Sequence, residues 1–272
     1  MRVMKLVRLD SAAYEVSPHV SGRVYTKGGV RPEVWELAEE APASILYNGQ
    51  SFAVMMVTPA DLEDVAVGFS ITEGIAASPN EIGSIRIAEA ADGFLVNMEV
   101  DPGALERAEG RRRTLTGRSG CGICGAQSLD AVMKPLAGVS GVWPDMAAIE
   151  KAFERMPALQ PMNLENRSTH AAAFCDLSGA VELVREDIGR HNALDKLAGA
   201  LALQGRDASG GFILMSSRCS VELVQKAAAI RAPFIASVSA PSALALRLAQ
   251  EAGMGVAARA RDGLMMFDSF GD

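Results

Sequence analysis

The stretch that decides the fold reads Phe212-Ile-Leu-Met-Ser-Ser-Arg-Cys-Ser220, resumes at Phe234-Ile-Ala-Ser-Val-Ser-Ala-Pro241 and closes at Gly255-Val-Ala-Ala-Arg259. Each part begins as a short apolar run of strand length. The first two end in small hydroxylic residues that open helical spans, from Ser220 and from about Pro241. Apolar runs without polar alternation predict strands buried on both faces, and their alternation with helices predicts a parallel sheet. The fold class is therefore α/β, with helices covering both faces of a parallel sheet.

Upstream, Phe174 to Asp176 and Val181 to Arg185 read as paired strands, and Arg190 to Leu203 as a helix with Leu194, Leu197 and Leu201 on one face. Met146 to Arg155 and Leu129 to Leu136 read as two further helices. Ile45-Leu-Tyr47 and Phe52 to Val57 flank Asn48-Gly49, which predicts a tight hairpin. Asp61 is placed to cap a helix through Leu62, Val65, Ala66 and Phe69, ending near Gly74. Ile85 to Ile87 and Phe94 to Val100 flank Asp92-Gly93 as a second hairpin, predicting a small inserted β-rich subdomain near residues 80–118. Residues 1–40 are weakly periodic and read as an N-terminal extension with short strands, ahead of a main unit at 41–272.

The chain of 272 residues is 49% hydrophobic and carries a net charge of −7, which fits a globular protein and argues against a broad nucleic-acid surface. Charges interrupt the apolar runs at the N-terminus, so no signal peptide is expected, and no apolar stretch is long enough to predict a membrane span. Four cysteines suit a reducing compartment better than a disulfide framework, so the expected location is cytoplasmic.

The most chemical segment is Gly120-Cys121-Gly-Ile-Cys124-Gly125, downstream of Arg111-Arg-Arg113 and Arg118. Flanking glycines let another molecule approach a thiol closely, and neighbouring positive charge favours the reactive thiolate. The same spacing also suits a zinc site or a thioredoxin-like redox pair. A zinc site would have to recruit scattered residues such as Cys175, Cys219 or His170, and a thioredoxin pair normally opens a helix early in a short domain.

A second site is expected at the strand-to-helix junctions. Open parallel sheets bind ligands beyond the carboxyl ends of their strands, where helix N-termini offer free N–H groups to anions. Ser217, Arg218 and Ser239 lie there, and the competing reading is simple helix capping by Ser220 and Ser239. Asp187-Ile-Gly-Arg-His191-Asn192 opens another helix, where His191 is spaced to meet Asp187 or Asp195. His170-Ala-Ala172 lacks the glutamate of the zinc deaminases, which argues against that chemistry. Arg259-Ala260-Arg261-Asp262-Gly263-Leu264 follows a strand and contains a turn that could close over a phosphate. Cys175, Met265 and Met266 read as packing residues.

Taken in order, Asn48-Gly49 through Thr58-Pro59, Gly68-Phe69 with Thr72-Glu73-Gly74, Cys121 to Gly125, Arg185 to Lys196, Ser217-Arg218 and Ser237 to Pro241 resemble the FdhD family from about Glu40 to Phe267. The resemblance implies a sulfurtransferase that accepts sulfur from a cysteine desulfurase as a cysteine persulfide. It would deliver that sulfur to the molybdenum bis-molybdopterin guanine dinucleotide cofactor destined for formate dehydrogenase, and a guanine nucleotide would mimic this client. The implied fold is a cytidine-deaminase-like three-layer α/β/α sandwich, and family members are often homodimers. By position Cys121 matches the persulfide-bearing cysteine with Cys124 as partner, and Arg259 to Leu264 matches the cofactor-binding stretch. The family pattern usually has an aromatic residue at the position of Arg259 and a basic one at Leu264. Two other classes stay open: a non-catalytic zinc- or guanine-nucleotide-binding chaperone, and a dithiol oxidoreductase.

Overall fold

The computed structural model describes residues 4–9, 15–115 and 136–267. In chain order these form β1 (Lys5–Leu9), β2 (His19–Thr26), β3 (Gly29–Glu36), β4 (Ala41–Tyr47), β5 (Gln50–Val57) and α1 (Leu62–Thr72). There follow β6 (Ile82–Ala90), β7 (Gly93–Val100), α2 (Pro102–Leu115), α3 (Met146–Arg155), α4 (Pro161–Asn166), β8 (His170–Asp176), β9 (Val181–Asp187) and α5 (Arg190–Leu203). The chain then alternates through β10 (Gly211–Arg218), α6 (Val221–Ala229), β11 (Phe234–Ser239), α7 (Ala243–Glu251), β12 (Gly255–Ala260) and β13 (Gly263–Met266).

The second half forms a six-stranded sheet in the order β13-β12-β11-β10-β8-β9. β10, β11 and β12 are parallel, as the alternation of strand and helix predicts, while β8, β9 and β13 add antiparallel edges. Strand residues alternate between two cores. Ile213, Met215, Ile235 and Val256 pack with α5, α6 and α7, whereas Phe212, Leu214, Phe234 and Ala257 pack with Ile149, Ala152 and Phe153 of α3. This is a three-layer α/β/α arrangement. Cys175 is fully buried in the second of these cores. β13 was not anticipated as a strand; Met266 packs partly against the same core, while Met265 is 52% exposed.

The first half forms a five-stranded sheet in the order β1-β6-β7-β4-β5. Asn48 and Gly49 both take positive φ, 48° and 80°, as a two-residue hairpin turn demands. Residues 80–118 supply β6, β7 and α2, and β7 pairs in parallel with β4, so the expected insertion is built into this sheet. From the expected N-terminal extension, β1 completes one edge of that sheet and β2 with β3 form a ribbon of their own. Asp61 precedes α1 in a left-handed conformation, with φ 52° and no side-chain cap hydrogen bond. Its carboxylate instead lies 3.7 Å from Arg185 Nε.

The two halves join where α1 crosses α5. A Cβ on Gly68 would sit 1.7 Å from the Asp195 carbonyl oxygen, and one on Gly199 would sit 2.0 Å from that of Asp64. Only glycine permits backbones to approach this closely. Beside the crossing, Asp195 accepts from Thr72 Oγ1 at 2.6 Å and from Lys226 Nζ at 2.9 Å, tying α1, α5 and α6 together.

Candidate functional site

The carboxyl ends of β10, β11 and β12 reach one edge of the second sheet. Arg218 is the register partner of Ser239, and Ser237 that of Ala258, so Ser217, Arg218, Ser239 and Arg259 line adjacent strand ends. α6 and α7 start directly beyond this edge, and α5 starts beside it from the end of β9. Three helix N-termini thus direct their positive dipole ends to one region. The two junctions are tied together by Ser242 N donating to the Cys219 carbonyl at 3.1 Å.

Not every hydroxyl expected here is free. Ser217 Oγ donates to its neighbour's Arg218 carbonyl at 3.0 Å, and Ser237 Oγ to the Ser239 carbonyl at 2.8 Å, shaping the strand ends. Ser216 Oγ accepts from Ala171 N at 2.8 Å across a bulge in β10. Capping of α7 falls to Ser242, whose Oγ accepts from Ala245 N at 3.2 Å, rather than to Ser239. Ser220 makes no cap bond on α6. The Arg218 and Ser239 side chains are left facing solvent.

The β9–α5 corner is fixed by a buried network. Asp187 Oδ2 lies 2.8 Å from Lys196 Nζ, with both side chains 0% exposed. Asp187 also accepts from Thr58 N at 3.0 Å, Gly189 N at 2.8 Å and Asn192 Nδ2 at 3.0 Å. Lys196 donates to the carbonyls of Thr58 and Glu186, each at 3.1 Å. This network locks the first turn of α5 against the corner between β5 and α1. A buried carboxylate and a buried ammonium are tolerated because every remaining polar site has a partner.

His191 pairs with neither Asp187, which is taken by Lys196, nor Asp195, which is taken by Lys226. Its Nε2 lies 2.7 Å from Glu222 Oε2 and 3.5 Å from Ser220 Oγ, bridging the starts of α5 and α6. Burial works to raise the Glu222 pKa, but His191 and Arg190 outweigh it and hold the carboxyl below its ordinary value. His170, at the start of β8, has its pKa lowered by burial and then by the charges of Arg190 and His191. Both contacts of His191 fall on one nitrogen, so Ser220, His191 and Glu222 are not a relay in which the two ring nitrogens divide acid and base roles.

Arg259 to Leu264 form the β12–β13 hairpin, with Arg259 opposite Leu264, Ala260 opposite Gly263, and Arg261-Asp262 as its turn. Gly263 takes φ 147° there. The Arg259 guanidinium lies over the Phe153 ring, 5.5 Å from its centroid. The hairpin continues the edge from Arg218 and Ser239. His191 joins it from the α5 side. Cys121, Cys124 and Arg118 lie outside the described residues, as does all of the expected 129–136 helix but Leu136.

Glu222, Lys196 and Thr58 were missed as site-building residues. Their signal lay in motif lengths: Lys196 is the last residue of the Arg185 to Lys196 run, and Thr58 stands beside Pro59. Among the described residues no group of three or more His, Cys, Asp or Glu is placed to hold a metal. No helix among them is long and apolar enough to cross a membrane.

Residues 38–267 match the family model described as FdhD/NarQ family. The chain belongs to the FdhD/NarQ family. Among curated relatives, a protein of Cupriavidus necator named sulfur carrier protein FdhD is 48% identical over 231 residues, 84% of this chain and 80% of that protein. One of the same name from Xanthomonas euvesicatoria pv. vesicatoria is 44% identical, covering 94% of this chain and 89% of that one. A crystal structure from Desulfotalea psychrophila, of a protein proposed to be a formate dehydrogenase accessory protein, superposes with a TM-score of 0.74. It covers 94% of this chain and 98% of that one at 23% identity, a likeness of fold. The FdhD/NarQ match takes in every strand of the second sheet and all of the first sheet but β1, so the edge just described belongs to the matched region.

Proposed function

We propose that this chain is a sulfur carrier that serves formate dehydrogenase, acting as a sulfurtransferase in the cytoplasm. Curated relatives named sulfur carrier protein FdhD support the carrier role. In this reading the Cys121 thiolate attacks the terminal sulfur of a cysteine desulfurase persulfide. The sulfur–sulfur bond of the donor breaks, the donor cysteine leaves as thiolate, and Cys121 holds the terminal sulfur as a persulfide with no net redox change. Arginines 111 to 113 and 118 favour the thiolate, and Cys124 acts as its partner.

The substrate that receives the sulfur is the molybdenum bis-molybdopterin guanine dinucleotide cofactor. The observation that carries this half of the reading is the convergence of three helix N-termini with Arg218, Ser239 and the Arg259 to Leu264 hairpin on one sheet edge. Oriented N–H groups and guanidinium groups suit the phosphates of such a dinucleotide. Arg259, stacked on Phe153, keeps its charge at the hairpin where the family pattern has an aromatic residue.

GDP titrated into the full chain by calorimetry tests the site. Arg218→Ala and Arg261→Ala should each weaken binding by about tenfold, the worth of one charge-assisted hydrogen bond. Unchanged affinity in both variants would remove the edge from the proposal.

A further inference from the structure

The cationic edge of the second sheet does not stop at Arg218. β8 runs antiparallel to β10, so its first residue, His170, arrives at the same edge, where Ala171 N donates to Ser216 Oγ at 2.8 Å. His170 is the register partner of Asp187, and past the Asp187-Ile-Gly189 corner the chain opens α5 with Arg190 and His191. Arg259, Arg218, His170, Arg190 and His191 therefore follow one another along one side of a chain whose net charge is −7.

Of these groups Arg190 carries an unmet need. The residue is half-buried, and its Nε is buried with no hydrogen-bond partner among the described residues. The carboxylates of its corner are engaged elsewhere. Asp187 is held by Lys196, Thr58, Gly189 and Asn192, and Glu186 by the Met162 and Asn163 N–H groups and Thr169 Oγ1. Glu222 turns its Oε2 to His191. The Arg190 charge acts on both His170 and Glu222, which puts the guanidinium between the starts of β8 and α6. A buried charged donor left without an acceptor is costly, and an anionic ligand at this edge supplies the acceptor.

Glu222 sets where this corner points. Its 2.7 Å contact with His191 is one of two rungs between α5 and α6; the other, one turn further along both helices, joins Asp195 to Lys226 at 2.9 Å. The rungs have opposite polarity, so a one-turn slip of α6 would set Glu222 against Asp195. The start of α6 is thereby held level with the start of α5. We propose that Arg190 is a further phosphate-binding residue of this edge, and that Glu222 positions it by fixing His191 and the two helix starts against each other. This rests on the reading of the edge as the dinucleotide site. The Arg190 guanidinium then donates to phosphate oxygens of the bound nucleotide, beside Arg218 and with His170 and His191 flanking it.

Calorimetric titration of the full chain with GDP, alongside urea denaturation of each variant, tests this. Arg190→Met should weaken GDP binding by about tenfold, the worth of one charge-assisted hydrogen bond. Arg190→Lys, which keeps the charge but not the planar fork, should fall between it and wild type. Glu222→Ala should weaken binding too, and Glu222→Gln, which keeps an acceptor for His191, should recover most of the loss. Because Glu222 acts through Arg190, combining Glu222→Ala with Arg190→Met should cost less than the sum of the two single losses. If Arg190→Met loses stability in urea but no GDP affinity while Arg218→Ala loses affinity, Arg190 pairs within the protein; the proposal falls and the edge stands as the site. Additive losses, or no recovery in Glu222→Gln, overturn the positioning role. A wild type that does not bind GDP removes the site and this proposal together.

Discussion

Replacing Lys196 by methionine removes the ammonium from the Asp187 network and keeps nearly the same volume. Asp187 then loses a partner at 2.8 Å while its side chain stays 0% exposed, and the Thr58 and Glu186 carbonyls lose their donor. Three N–H donors to Asp187 remain. Breaking a buried pair from one side costs about 3–5 kcal/mol, because the surviving charge has no water to return to. For a chain of this size that lowers the melting temperature by about 10 °C. Urea denaturation followed by dichroism reads the loss, and adding Asp187→Asn to Lys196→Met should restore part of it, since the uncompensated charge is gone. A single variant within about 1 kcal/mol of wild type, or a double variant whose loss equals the sum of the two singles, would refute the assignment of Asp187–Lys196 as the lock of this corner.

Other outcomes follow from the same geometry. Gly199→Ala should destabilise severely, because its Cβ would meet the Asp64 carbonyl at 2.0 Å, whereas Gly210→Ala, with nothing within 4 Å, should leave the urea midpoint unmoved. Burial pushes the Cys175 and Cys219 thiols up to about 12, so in native protein near pH 8 neither should take up a thiol reagent; peptide mapping shows label on them only after unfolding. The folded-state pKa of Glu222 is depressed, so its contribution is present above the ordinary glutamate pKa and is lost as pH falls through the folded value. Glu222→Gln should therefore be less stable than wild type near pH 7, with urea midpoints converging in acid.

Local pattern made much of the architecture legible. The runs at Phe212, Phe234 and Gly255 announce buried parallel strands because their residues fill both cores, and Asn48-Gly49 announces a hairpin because only such residues accept two positive φ values in succession. Sheet membership was less legible. Ile85 and Phe94 mark a hairpin, but nothing local says that β7 will lie against β4 rather than stand apart, since that pairing joins residues about fifty positions distant. Asp61 has the right residue type for a cap, yet Arg185, distant in sequence, claims its carboxylate.

The site divides the same way. Ser217, Arg218, Ser239 and the Arg259 hairpin could be brought together from sequence because parallel strands necessarily end on one edge. The partner of His191 could not. Helical spacing offered Asp187 and Asp195, but each faces a buried lysine, and Glu222 from the next helix takes the imidazole. Which partner a side chain meets depends on how helices pack, which spacing within one helix does not encode.

The central claim is that Cys121 carries sulfur. Incubation of the full chain with a cysteine desulfurase and cysteine, followed by mass spectrometry of intact protein and of its peptides, tests this directly. One added sulfur atom on the peptide bearing Cys121, released by a reductant and absent from Cys121→Ala, is the predicted result. An unmodified Cys121 in wild type while sulfur appears on another cysteine, or a Cys121–Cys124 disulfide with no added sulfur, would contradict it.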